Sequence, residues 1–337
     1  MAAILKRKKS RRKRPNVVVI GGGTGTSQLL RGLKQYPINL KTIVTTADTG
    51  GSSGVLRKEF GMSPPGDVRQ CFVALNETSH PFLHFFNNRF SDGSLKGHSF
   101  GNLFFALLWQ KYKDFPRAVR EAEQMVDAVH KVIPVTHTPT DLVAHLDDGT
   151  VVTSETNITQ IPDLYEKLRN IEIEPKGVRV NREARYALDN ADVILLGPGN
   201  VVASLTPPLL ISSIADGMRE SEAKKVLIVN LMNQHNITGD FEVEDYLIYF
   251  DHILGMNVFD AVVYNNAHIS EERLEKLGVQ DKKVQAMCFR EGIEYIGRSL
   301  VSSKNVQIEK GDILDRTLIK HDEKKIAKVI YEQIIKK

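Results

Sequence analysis

The sequence predicts an α/β protein built on a Rossmann-like, doubly wound and mostly parallel sheet, with a helical insertion and a small β excursion. Three observations carry that prediction. Short β-branched runs alternate with segments of helical periodicity. The strand-like runs empty, one after another, into small or polar residues at 21–26, 46–54, 197–200, 230–234 and 265–266. In open α/β sheets ligands bind beyond the carboxyl ends of the strands, so these converging ends define one candidate site.

The elements follow in order. Residues 16–20 read as a buried parallel strand, an apolar run entering glycines. Residues 24–36 read as a helix with Leu29, Leu30 and Leu33 on one face and Pro37 as its stop. Residues 40–45 form the next strand and complete a βαβ opening. Over 62–129 the pattern turns helical: Val68, Phe72 and Leu75, then Phe82, Phe85 and Phe86, then Phe104, Leu107 and Leu108 recur at helical spacing, which makes the aromatics core. Asp148-Gly149 between alternating runs at 141–146 and 150–153 marks a hairpin within a β excursion at 132–153. The βα alternation resumes with a strand at 192–196, a helix around 208–219, a strand at 225–231, a helix at 243–254 and a strand at 261–264. A last helix carries Ile326, Val329, Ile330 and Ile334.

At 337 residues the chain is long enough for one large domain or two small ones. No repeat or low-complexity linker follows residue 15. The expected organisation is a basic, disordered tail at 1–14 and one domain at 15–337, with the helical insertion at about 62–130 and the hairpin at about 132–160. Cys71 and Cys288 fit neither a metal spacing nor a disulfide framework, which points to a reducing cytosol. No apolar run approaches the ~20 residues of a membrane helix, and no signal peptide is visible, so a cytoplasmic protein is expected.

The formal charge of +4 belongs to the tail, whose first 14 residues hold eight Lys or Arg; the remainder has 37 basic and 41 acidic residues, a net of −4. Residues 6–14 read as a solvated tail, or as a contact for RNA or an anionic surface. The body carries no nucleic-acid motif.

Gly21, Gly22, Gly23, Thr24, Gly25 and Thr26 form a turn that suits a phosphate cradle, or tight packing. NAD is disfavoured, because Thr26 stands where the dinucleotide fingerprint needs glycine. Thr46, Asp48, Gly50, Gly51, Ser52 and Ser53 form a second Gly/Ser-rich loop, with Asp48 placed to hold a sugar hydroxyl. After Pro64-Pro65-Gly66, Asp67 either caps the next helix or faces the site, with Arg69 beside it for a phosphate. Asn102 is a base or sugar contact or part of a helix start. Gly197, Pro198 and Gly199 make another anion-accepting turn, and Asn230 ends the following strand. Asp48 and Asp67 are the candidate ligands if Mg²⁺ is used. No Gly-x-Ser-x-Gly elbow or Cys/His pairing argues for a nucleophile.

The segments 18–25, 46–54, 65–69, 99–102, 197–199 and 230–232, in this order, resemble the YvcK-type gluconeogenesis factors, sisters of the CofD 2-phospho-L-lactate transferases. The resemblance implies a cytoplasmic bacterial protein that binds a UDP-sugar such as UDP-N-acetylglucosamine. Such a regulator would act through a protein partner in growth on gluconeogenic carbon sources and in cell shape. It further implies a pyrophosphate on the 21–26 turn, with hydroxyls held by Asp48, Asn102 and Asn230. In the transferase branch it implies an Mg²⁺-dependent passage of a phospholactyl group from a guanylylated carrier to a deazaflavin alcohol. This chain departs from the family pattern at Asn200–Ser204, at Asn233-Gln234, and at Lys320 before His321-Asp322, where an arginine is usual. A homodimer is compatible with an open sheet flanked by exposed helices.

Overall fold

Val17 to Ile20 become the innermost part of β1 (Asn16–Ile20), because a strand covered on both faces must be apolar at every position. Val17 and Val19 face one core, Val18 and Ile20 the other. The computed structural model describes residues 14–76, 80–255, 257–276, 282–303 and 319–336. Residues 1–13 of the expected basic tail lie outside them.

Around β1 stand β2 (Asn39–Val44), β3 (Lys131–Pro134), β7 (Val193–Leu196), β8 (Lys224–Ile228), β9 (Ala261–Asn265) and β10 (Glu294–Arg298). They form a seven-stranded sheet in the order β10-β9-β8-β7-β1-β2-β3, parallel throughout. The chain winds outward from β1 through β2 to β3, then returns to the other side of β1 as β7. The switch point therefore lies between β1 and β7, and their carboxyl ends open a crevice there.

On one face pack α1 (Gly23–Leu33), α3 (Gly66–Asn76), α4 (Phe100–Tyr112), α5 (Phe115–Met125) and the helix Glu323–Ile330. The aromatic spacing does mark core: the Phe86 ring lies 5.6 Å from Phe72, 5.3 Å from Phe82 and 5.2 Å from Phe104. Phe85 and Leu107 are exceptions, both exposed. Helices Arg182–Asp189, Ser212–Glu220 and Val243–Leu254 cover the opposite face.

The structure redraws several expected elements. Residues 51–54, read as loop, begin helix α2 (Gly51–Phe60). Residues 132–134 belong to the main sheet, where Val132 and Ile133 pair with β2. The excursion is a separate three-stranded antiparallel sheet of β4 (Asp141–Leu146), β5 (Val151–Thr153) and β6 (Leu168–Glu174), in the order β5-β4-β6. A short helix, α6 (Glu155–Thr159), follows β5. The helix expected around 208–219 is split: a π-helical turn at Val201–Leu205, whose later carbonyls receive no N–H from Pro207 and Pro208, leads into a short turn at Thr206–Leu209, and Ser212–Glu220 follows after a break.

The excursion stands at the carboxyl edge of the main sheet, where β3 ends. Asn181 closes its neck: its N–H donates to the Val135 carbonyl at 2.8 Å and its side-chain amide to the Pro134 carbonyl at 3.0 Å. No single helix among the described residues is long and apolar enough to cross a membrane. One bent pair, Val201–Leu209 with Ser212–Glu220, has the composition but breaks by 80°.

Candidate functional site

Two helices begin at the crevice on glycine. α1 has Gly22 as its N-cap and α2 has Gly50; neither has a side-chain cap, and neither has an acidic residue of its own in the first turn. Such ends carry partial positive charge and attract anions or hydrogen-bond acceptors. A carboxylate from elsewhere in the chain stands at each. Asp48 Oδ1 accepts the Gly50 N–H at 2.9 Å. Asp67, from the first turn of α3, comes so close to Gly22 that a Cβ there would lie 2.2 Å from its Oδ2. Asp48 and Asp67 are bridged by α3 itself, because a Cβ on Gly66 would lie 2.9 Å from Asp48 Oδ2. Burial raises the Asp48 pKa, against the lowering effect of the Gly50 N–H, the Ser53 hydroxyl, Arg57 and Arg69.

The glycines divide into two groups. Gly21, Gly25 and Gly197 serve packing: added Cβ atoms would meet Thr26 Oγ1 at 2.5 Å, the Pro198 carbonyl oxygen at 2.8 Å and the Ile228 carbonyl oxygen at 2.7 Å. Thr26 also donates to the Pro198 carbonyl at 3.0 Å, so the turns after β1 and β7 brace each other. Room for a ligand lies instead at Gly23 and Gly51. Both hold left-handed backbone, φ +69° and +45°. Gly51 has nothing within 4 Å of an added Cβ, and Gly23 has only Asp67 Oδ1 at 3.6 Å and Ser204 Oγ at 3.8 Å.

Several expected ligand contacts turn out to hold the protein together. Asn230, expected at a hydroxyl, engages Gly199 instead, accepting the Gly199 N–H at 3.1 Å and donating to its carbonyl at 2.9 Å. Arg69, expected at a phosphate, is buried, with Nε donating to Asn102 Oδ1 at 2.9 Å and Nη1 to Asn87. Asn102, expected at a base or sugar, has its Nδ2 donating to the Ser52 hydroxyl at 3.0 Å, which also bonds His98 Nδ1 at 2.9 Å. Thr46 is buried against the Thr140 hydroxyl at 3.3 Å. The turn after Gly199 supplies its own acceptor, Asn200 Oδ1 to the Ala203 N–H at 2.8 Å, so an anion is not needed there. Thr24 lies 3.4 Å from Gln70 Oε1.

The sequence reading missed Glu155, Ser204 and Arg57. Glu155 arrives on α6 and faces Asp48; burial first, and Asp48 second, push its pKa up to about 7. Arg57 reaches Asp141 of β4 and ties the excursion to α2. No motif announces these residues, because only the docking of the excursion brings them in. Among the described residues no cluster of three or more His, Cys, Asp or Glu could cage a metal. Asp48 and Asp67 fit Mg²⁺ only as an ion shared with ligand phosphates, the way this hard cation is commonly held.

The fold and this crevice define a Rossmann-like α/β protein whose candidate site is built at the topological switch point. The chain belongs to the CofD family: the family model described as 2-phospho-L-lactate transferase CofD matches residues 17–306. Among its relatives is the gluconeogenesis factor of Halalkalibacterium halodurans, 36% identical over 322 residues that make up 95% of this chain and 97% of that protein. The gluconeogenesis factor of Bacillus subtilis is 32% identical over 325 residues, 95% of this chain and 98% of that one. A crystal structure of a UPF0052-family protein from Bacillus halodurans matches with a TM-score of 0.84 and 34% identity, over 95% of this chain and 99% of that one. These relatives place the chain with the YvcK-type branch, as the motif order implied.

Proposed function

We propose that this chain is a ligand-binding regulator of the gluconeogenesis-factor type. It takes a UDP-sugar, or another nucleotide, in the switch-point crevice. It acts in the cytoplasm through a protein partner and links growth on gluconeogenic carbon sources to wall precursors and cell shape. The ligand and the cellular role follow the resemblance. The observation that carries the binding reading is the repeated pairing of a helix N-terminus with a carboxylate: Asp48 at Gly50, and Asp67 at Gly22, each beside an open glycine. Helix ends suit phosphate oxygens, and carboxylates suit hydroxyl donors. A sugar nucleotide carries both kinds of group on one molecule.

A second reading rests on the same two carboxylates. With Mg²⁺ between them and a phosphate, the crevice would serve a CofD-like transfer from a nucleotide-activated donor. Calorimetric titration separates the readings. The panel is UDP-N-acetylglucosamine, UDP-glucose, GDP and NAD, each with and without Mg²⁺, with mass spectrometry of the recovered ligand. Mg²⁺-indifferent binding of an intact UDP-sugar supports the regulator. Mg²⁺-dependent binding of a guanine nucleotide supports the transferase, and NAD binding alone overturns both.

A further inference from the structure

The crevice has a wall that the parallel sheet does not supply. α6 lands on the loop between β2 and α2: the Thr156 N–H donates to Thr49 Oγ1 at 3.1 Å, and the two hydroxyls lie 2.9 Å apart. Ser154 adds a hydroxyl contact to Thr49 at 3.4 Å. A Cβ on Gly50 would lie 3.5 Å from Asp48 Oδ1 and 3.7 Å from Thr156 Oγ1, so the Gly50 turn is held between Asp48 and the excursion. This docking brings the Glu155 carboxyl against Asp48, where Thr49 and Thr156 donate to it. Neither Glu155 nor Asp48 forms an ion pair among the described residues. The guanidinium groups that act on Asp48 are committed elsewhere only in part: Arg57 pairs with Asp141 while its Nη1 is buried without a hydrogen-bond partner, and Arg69 bonds Asn102 and Asn87. Facing acids outside any ion pair are costly unless further donors complete them. Gly51, at the open end of the same turn, leaves room for such donors.

We infer that Glu155 contacts the ligand of this crevice, meeting the sugar hydroxyls of a sugar nucleotide beside Asp48, so that the excursion sets the preference for sugar-bearing ligands over plain nucleoside diphosphates. The inference rests on the nucleotide-sugar reading above. It assigns a role to the sheet of β4, β5 and β6. The main sheet binds phosphate, and the inserted sheet inspects what the phosphate carries. Hydrogen bonds to a charged group are strong enough for that discrimination.

The test is calorimetric titration of wild type, Glu155→Ala and Glu155→Gln with UDP-N-acetylglucosamine, UDP-glucose and UDP, alongside thermal melts of all three proteins. Glu155→Ala is expected to lose about tenfold or more in affinity for the UDP-sugars. At pH 8, where the wild-type Glu155 is ionised, the variant's affinity for UDP should hold or rise, because a negative charge beside the phosphates has gone. Glu155→Gln keeps the shape and one acceptor oxygen and should fall between. Equal gains for all three ligands would show a purely electrostatic role and overturn the inference; unchanged affinities, or parallel losses, would do the same. If wild type binds UDP-sugars no better than UDP, this inference alone falls. If it binds none of the three, the nucleotide-sugar reading falls with it.

Discussion

Asn230 and Gly199 bind each other in both directions, the side-chain amide of one reading the peptide group of the other at 3.1 and 2.9 Å. The pair acts as one more rung between β7 and β8, just past the point where their ladder stops. It holds the Gly197–Gly199 turn against the turn after β1, which touches it through Thr26 and Gly25.

Asn230→Ala should therefore leave a peptide group of Gly199 unpaired and destabilise the protein by about 1–3 kcal/mol. Ligand affinity should fall with it, because the Asn230 amide holds the turn that borders the crevice. Denaturant unfolding and titration of the same variant check both. Unchanged stability would show that water replaces the amide at no cost.

Glycine substitutions should sort into two behaviours. Gly25→Ala places a methyl 2.8 Å from the Pro198 carbonyl oxygen, and backbone cannot swing away. A loss of about 1–3 kcal/mol of stability is expected. Gly51→Ala meets open space, so its cost is the left-handed backbone alone, about 1 kcal/mol. Its larger effect should be on ligand affinity. Gly23→Val combines strain at φ +69° with intrusion into the crevice. Melting temperatures set against affinities, plotted for the three variants, would reveal whether the separation exists.

Stability should fall as pH rises from about 4.5 towards 7 through Glu155, whose pKa is pushed up to about 7 by burial and by Asp48. The sign follows from linkage: in that window the folded state holds a proton that the unfolded state has released, so folding is favoured at the acid end. Glu123 shifts in the same direction, also to about 7, because it is buried beneath β3. Glu155→Gln should remove its share of the slope, on the order of 1–3 kcal/mol across the window, and leave the Glu123 share. Denaturation midpoints of wild type and variant at pH 5 and pH 7.5 give the comparison. A variant with the wild-type slope would show that Glu155 does not titrate there.

His321 should act in the opposite sense. Burial lowers its pKa to about 4, against the opposing effect of its bond to the Val229 backbone. Below its ordinary pKa of 6.5 the unfolded chain takes up a proton that the folded protein refuses, so stability is lost as pH falls towards 4. His321→Gln should flatten that loss; NMR titration of the imidazole should show no protonation at pH 5. A His321 signal titrating near 6.5 would contradict the burial.

Much of the architecture is legible because it rests on local chemistry. Val17 to Ile20 can only be a strand covered on both faces, and Leu29, Leu30 and Leu33 can only face it from a helix. The places where function gathers are legible too, since strands that end in Gly, Asp and Asn leave backbone groups to be met by something else. The roles of individual side chains are not. Asn230, Arg69 and Asn102 carry the polar groups a ligand would want, and each commits them to another part of the protein. That depends on what stands across a gap of about three ångströms, the length of a hydrogen bond, which no spacing in the chain records.

Periodicity, turn chemistry and motif order are properties of neighbours along the chain, and they suffice for the parallel sheet, the helix after the first glycine turn and the family, though not for the helix that begins at Gly51. Tertiary structure alone decided which glycines are packed and which are open, and that Glu155 meets Asp48. Glu155 lies more than a hundred residues beyond Asp48, on the short helix that follows β5 of the inserted sheet, and their encounter is set by the docking of α6 on Thr49, a contact between surfaces rather than between neighbours.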